Sequence, residues 1–169
     1  MIRPILRHGA DVLHAPAAPV AEITPDIHTL IDDMIQTMYA APGIGLAAPQ
    51  VGVPLRIFVC DLSVGRNAQD LMTFINPELV QSDGTQLEEE GCLSLPGFNA
   101  TVARPARAVL KGLNRTGEEQ VVEASGLLAR CFQHEVDHLD GTLFIDRLRG
   151  LKKDFMLRRI RKLTRSGKW

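Results

Sequence analysis

The order of patterned segments predicts an α+β fold: one helix, a block of strands, then two helices, with no βαβ alternation. Residues 25–40, PDIHTLIDDMIQTMYA, place Ile27, Leu30, Ile31, Met34 and Met38 on one helical face. Strand-like segments follow, and helical spacing returns after residue 126. A chain of 169 residues suits one domain with a single sizeable core, so 1–169 is expected to be one domain.

Each element has a local reason. Thr24 is a good N-cap and Pro25 suits the first helical position, while Pro42 and Gly43 end the helix. GIGLAAPQVGVP then reads as a loop bounded by glycine and proline. RIFVCDL (56–62) and LMTFINPEL (71–79) read as strands joined by the turn VGRNAQD. TQLEEEGCLSLPG reads as a strand running into a turn, and TVARPARAVLKGLNR with EEQVVEA as a further antiparallel pair. GLLARCFQHEVDHLDG reads as a central helix stopped by Gly141. LKKDFMLRRIRKL reads as a C-terminal amphipathic helix, with a basic stretch at about 149–165.

Composition excludes several classes. Hydrophobic content is 45% and charged content 23%, ordinary for a globular protein. No segment approaches the roughly 18 apolar residues of a membrane span. MIRPILRHGADVLHAP has charges and prolines where a signal peptide needs an apolar run, so a cytoplasmic location is expected. Cys60, Cys92 and Cys131 are too few for a disulfide framework. Net charge is −1 but uneven: nine of the 19 Lys/Arg lie from Arg149 onward, beside one acid, Asp154.

The stretch QHEVDH, Gln133 to His138, carries the chemistry. Positions i and i+4 share a helix face, so His134 and His138 can grip one ion. Glu135 projects nearby, where it can take a proton from water activated by a metal. Three fixed positions in five also arise by chance. The placement raises their weight, because Leu127, Cys131, His134 and His138 form one stripe expected to be buried. A catalytic metal site usually takes three protein ligands. No histidine or glutamate follows His138, and Phe144 stands where one protease class has its third histidine. The third ligand is therefore upstream, or an aspartate. His28 reads as solvated, His8 and His14 as unpaired residues of an N-terminal arm, Cys60 as core and Cys131 as pocket lining. Cys92 lies on a turn after Gly91, where a thiolate can reach an ion, and it is the preferred third ligand.

Together GIGLAAPQ (43–50), EGCLSLP (90–96) and QHEVDH (133–138) resemble the peptide deformylase family, in its bacterial type 1 form. The resemblance spans nearly the whole chain, INPEL (75–79) included. It implies antiparallel sheets packed around a central metal-binding helix, with a C-terminal helix. It implies a metal-dependent hydrolase that removes the N-formyl group from the initiator methionine of nascent polypeptides and releases formate. By the resemblance, Cys92, His134 and His138 bind one divalent metal, natively Fe²⁺, with Zn²⁺, Ni²⁺ or Co²⁺ able to replace it. Glu135 is then general base and acid, and Gln50 with the Leu93 N–H holds the oxyanion. GIGLAA also matches a loose dinucleotide pattern, but no strand precedes it and no helix follows.

Around this core, Gly43, Gly45 and Gly91 are expected close to the peptide backbone. Ile44, Leu127 and Cys131, with Phe132 or Phe98, are expected to line a methionine slot. Asp137 is expected to pair with Arg104, joined by Glu90. Asn99 stands where family members often carry an arginine. Leu151, Phe155 and Leu163 are expected to dock the C-terminal helix, and its basic face is expected to contact ribosomal RNA. No membrane or DNA partner is expected. Two other readings compete: a metallopeptidase sharing HExxH, and a ribosome-associated protein with a structural metal. An intact Glu135 and Gln50 weigh against the second, since a structural site needs neither.

Overall fold

The computed structural model describes residues 1–169. Helix α1 spans Pro25–Ala40, and the Thr24 side chain accepts from the Ile27 N–H at its start. Seven strands follow: β1 (Gly45–Ala47), β2 (Ile57–Cys60), β3 (Met72–Asp83), β4 (Gln86–Gly91), β5 (Asn99–Arg104), β6 (Arg107–Leu113) and β7 (Glu119–Ser125). Helices α2 (Gly126–Leu139) and α3 (Leu151–Arg165) complete the order. The α+β expectation stands, with all strand pairs antiparallel.

Two expectations change. GIGLAAPQ is not all loop: Gly45–Ala47 pairs with Phe58–Cys60 as an edge strand, and Ala48–Val51 makes a 3₁₀ turn. TVARPARAVLKGLNR is not one strand. Pro105 lacks an N–H and cannot continue a ladder, so the run divides there. Its first half, β5, pairs with β4 in a two-stranded sheet. Its second half, β6, joins β3 and β7 in a five-stranded sheet ordered β1-β2-β3-β6-β7.

The five-stranded sheet is covered on both faces. Successive side chains along a strand point to opposite sides. Ile57, Val59 and Ile75 therefore pack with Leu30, Met34 and Met38 of α1. Phe58, Cys60 and Phe74 pack instead with Ala129, Cys131 and Phe132 of α2. This two-sided burial explains why RIFVCDL reads as a continuous apolar run. A third cluster joins Leu95, Val102 and Phe144 to Met156 and Ile160 of α3. Those two residues, one turn apart, dock α3. Leu151 and Phe155 point away from the body, 83% and 69% exposed, contrary to their expected docking role.

Two residues lock the ends of the site elements. Gly141 ends α2 with φ +80°, and a Cβ there would lie 2.8 Å from the Ala15 carbonyl carbon. Asp61, fully buried, accepts from Tyr39 Oη at 2.5 Å and from Ser63 and Gly65, while its own N–H donates to the Ile44 carbonyl. Gly141→Ala should lower the urea midpoint with an unchanged m-value, since a left-handed backbone alone costs an L-residue about 1–2 kcal/mol. An unchanged midpoint would show that neither the left-handed backbone nor the Ala15 contact constrains this turn. Burial, then Asp61, pushes the Tyr39 phenol up to about 12. A raised tyrosine pKa gives stability that is complete below the unfolded value of about 10 and is lost as pH rises towards the folded one. Thermal melts of Tyr39→Phe should therefore show a shallower alkaline loss across that window than the unmodified chain.

Candidate metal centre

Helix α2 carries His134 and His138 one turn apart, as the spacing requires. Cys92 comes from the turn that follows β4. Cys92 Sγ lies 3.3 Å from His138 Nε2, and the two Nε2 atoms are 3.2 Å apart. The three ligand atoms all lie within 4.8 Å of one another. A thiolate and two imidazole lone pairs converging this closely suit a divalent transition metal such as iron, zinc, nickel or cobalt. Burial pushes the Cys92 thiol up, but His138 and His134 outweigh it and bring it down to about 5. In the chain alone the sulfur is thus a thiolate beside a readily protonated His134, and metal binding would release the imidazole proton.

The orientation of His134 is fixed from behind. Its Nδ1 meets Glu90 Oε1 at 2.5 Å, which leaves Nε2 facing Cys92 and His138. Glu90 is itself held by Arg104, through Nε at 2.8 Å and Nη2 at 2.6 Å. Arg104 reaches on to Asp137 at 2.9 Å, so the ion pair expected between them is present, and Glu90 joins it. Burial alone would raise the Glu90 carboxyl, but Arg104 and His134 hold it far below the usual carboxylate range.

Two further arginines complete this framework and were not singled out from the sequence. Arg130 donates to Glu90 Oε2 at 2.5 Å and to the Val102 carbonyl at 2.7 Å, though only 3% exposed. Arg147 clasps both Asp137 oxygens at 2.6 Å. Arg130 had a legible signal: it precedes His134 by four residues, so it shares the face of the two ligands. Arg147 lies in a short turn after α2 and had none.

Glu135 is 3% exposed, and its Oε2 has no hydrogen-bond partner in the chain. Burial raises its carboxyl against the pull of His134 and His138. The backbone reaches Glu135 only because residue 45 is glycine: a Cβ there would sit 2.5 Å from Oε1. Gln50 is 1% exposed and held at both ends. Its Oε1 accepts from the Ala47 N–H at 2.9 Å, so its Nε2 points to Ser94 Oγ at 3.1 Å and towards Cys92 Sγ at 3.7 Å. The Leu93 N–H donates to no atom of the chain.

These groups border a cavity of about 680 Å³. Gly43, Ile44, Gly45, Gln50, Gly91, Cys92, Leu93, Leu127, Cys131, His134 and Glu135 all line it, while His138 lies fully buried behind. Phe98 and Asn99 line it too. Phe132 does not; it is core, packed on Phe74 at 5.2 Å. Leu127 is 55% exposed at the rim rather than buried, in the first turn of α2. Cys60 and burial push the Cys131 thiol well up, so it faces the cavity as a neutral apolar group. His8 and His14 are not unpaired: their rings meet edge to face at 4.7 Å, and neither belongs to the Cys92–His134–His138 cluster.

A thiolate and two imidazoles beside a buried, unpartnered glutamate, at the wall of an open cavity, make the layout of a mononuclear metallohydrolase. Comparison with known proteins makes the class specific. The family model "Polypeptide deformylase" matches residues 2–154. A peptide deformylase of Acidobacterium capsulatum is 48% identical over 169 residues, covering 100% of this chain and 99% of the relative. The crystal structure of a peptide deformylase from Legionella pneumophila superposes with TM-score 0.92 at 42% identity, covering 99% of this chain and 98% of that one. A peptide deformylase from Synechococcus elongatus, in complex with actinonin, gives TM-score 0.88 at 38% identity, over 94% and 89% of the two chains. The chain belongs to the polypeptide deformylase family, metal-dependent hydrolases that remove the N-formyl group from nascent chains.

Arg104 is the shared link of this framework. Arg104→Met should cost about 3–5 kcal/mol by urea denaturation, because it removes the buried cation that Glu90 and Asp137 share and leaves each carboxylate under-compensated. Metal affinity should fall about 10- to 100-fold with the loss of the His134 support. Arg107→Met, which breaks only exposed pairs with Asp83 and Glu123, should change neither. Equal effects of the two substitutions would show that the buried network is dispensable.

Proposed function

We propose that this chain removes the N-formyl group from the initiator methionine of nascent polypeptides and releases formate, with residues 1–169 acting as one catalytic domain. The observation that carries this reading is the grouping of Cys92, His134 and His138 with Glu135 and the pinned Gln50 amide around one cavity. Cys92, His134 and His138 would hold one divalent metal, Fe²⁺ as the native ion, with Zn²⁺, Ni²⁺ or Co²⁺ as replacements. When bound, it supplies Lewis acidity that lowers the pKa of water and polarises the formyl carbonyl.

The remaining steps belong to the chain's own groups. Glu135 accepts the proton of the attacking water and returns it to the leaving amine. Its raised pKa suits a group that must both take and give a proton near neutral pH. Gln50 Nε2 and the Leu93 N–H donate to the oxyanion; Gln50 is aimed in advance because its Oε1 is already bound to Ala47. Gly43, Ile44, Gly45 and Gly91 lie along the peptide backbone of the substrate. Leu127 and Cys131 supply apolar surface for the methionine side chain. Asn99 is uncharged where family members often carry arginine, so any peptide contact there is a hydrogen bond rather than an ion pair. The thiolate ligand makes an iron-loaded site sensitive to oxidation, at the metal and at sulfur.

The setting proposed is the cytoplasm, with no membrane or DNA partner. No helix is long and apolar enough to cross a membrane. The outward face of α3 carries Lys152, Arg158, Arg159, Arg161, Lys162 and Arg165, which suits contact with ribosomal RNA where nascent chains emerge. The test is formate release from a formyl-methionyl tripeptide, by protein purified without oxygen and loaded with Fe²⁺. Rapid release is expected, and Glu135→Ala should lower it by at least about 100-fold. Gln50→Ala should cost about 3 kcal/mol of transition-state stabilisation. Absence of release with one equivalent of metal bound would overturn the reading, and peptide fragments as products would favour a metallopeptidase.

A further inference from the structure

A contact network outside the metal framework ties the two oxyanion-side groups together. Residues 5–8 belong to no helix or strand. The Leu6 N–H donates to the Gln50 carbonyl at 2.8 Å, and the His8 N–H to the Ser94 carbonyl at 2.9 Å. Ser94 in turn donates its N–H to Cys92 Sγ at 3.4 Å, and its Oγ accepts from Gln50 Nε2 at 3.1 Å. One short segment thus holds both Gln50 and the Cys92–Leu95 turn that carries the Leu93 N–H.

Ile5 and Leu6 anchor the start of that segment in the core, and one side chain closes its His8 end. Trp169, the only tryptophan, donates its indole N–H to the His8 carbonyl at 2.7 Å. Its ring meets Phe98 edge to face at 5.8 Å, and Phe98 lines the cavity. The Arg7 guanidinium sits 5.8 Å from the same ring. Irregular segments held by few hydrogen bonds open at low free energy unless side-chain packing closes them. Here Ile5 and Leu6 pack against the core, and at the His8 end the third hydrogen bond and an aromatic cover come from Trp169.

We propose that Trp169 is a positioning residue: by clamping His8 it fixes residues 5–8 as a strap that holds Gln50 and the Leu93 N–H at their working separation. The proposal rests on the deformylase reading for its kinetic consequence, but its structural part does not. Oxyanion donors act only when placed before reaction, and a displacement of about 1 Å far from the chemistry can lower rates by as much as about 100-fold.

The experiment compares the full-length Fe²⁺-loaded chain with Trp169→Ala and Trp169→Phe. Amide hydrogen exchange at Leu6 and His8 is followed beside kinetics on a formyl-methionyl tripeptide. Trp169→Ala should speed exchange at both amides and lower kcat about tenfold with KM little changed, as expected for a contact felt mainly in the transition state. Trp169→Phe keeps the ring on Phe98 and Arg7 but loses the indole donor, so it should recover part of the loss. Unchanged exchange at Leu6 and His8 overturns the clamp. Faster exchange with unchanged kcat overturns the positioning role. Absence of formate release by the unmodified chain would defeat the deformylase reading instead, while the exchange data still decide the clamp.

Discussion

The Glu90 carboxylate receives Arg104, Arg130 and His134 while almost cut off from water. A buried charge is tolerated only when its partners saturate it, and removing one leaves the others stranded. This condition joins three elements that are distant in sequence. Glu90 belongs to β4, Arg104 to β5, and Arg130 with His134 to α2. The two-stranded sheet cannot shift against the metal-binding helix without opening the pairs. Cys92, two residues after Glu90, is thereby carried to its place opposite His134 and His138. The position of the sulfur and the direction of the imidazole follow from one constraint.

Gln50 and Glu135 are placed in a similar way, by backbone rather than by flexible side chains. Gln50 is oriented by the Ala47 N–H, and Ala47 belongs to β1. Glu135 is admitted by the missing Cβ of Gly45 in the same strand. A three-residue edge strand therefore does two tasks: it aims the amide and makes room for the carboxylate. Pairing with β2 fixes it, and β2 is buried on both faces. The rigidity of this cavity wall is drawn from the sheet core.

Much of this was legible from local rules. Thr24 and Pro25 mark the start of α1, and Gly141 marks the end of α2 because its backbone is left-handed. The i, i+4 spacing of His134 and His138 placed both imidazoles on one face, elimination among upstream residues led to Cys92, and the structure brings the three within 4.8 Å of one another. The Arg104–Asp137 pair followed from the direction Asp137 takes on the helix. Other features depend on partners that periodicity does not name. Gly45–Ala47 is too short for an alternating pattern, and only β2 makes it a strand. TVARPARAVLKGLNR alternates on both sides of Pro105, so its division shows only when the two halves join different sheets. On α3 the helical pattern offers Leu151 and Phe155 as readily as Met156 and Ile160, and the third core cluster selects the latter. Leu127 shares the stripe of Cys131 and His134, but periodicity does not show that the stripe opens onto a cavity at that end of α2.

Everything proposed for the cavity depends on a metal bound by one thiolate and two imidazoles, with the His134 imidazole directed by Glu90. X-ray absorption at the metal edge of the Fe²⁺-loaded chain, prepared without oxygen, addresses this most directly. The predicted spectrum contains one sulfur and two imidazole nitrogens in the inner shell, and Cys92→Ser removes the sulfur contribution. A shell without sulfur, or a sulfur signal that survives Cys92→Ser, would contradict the assignment of the centre.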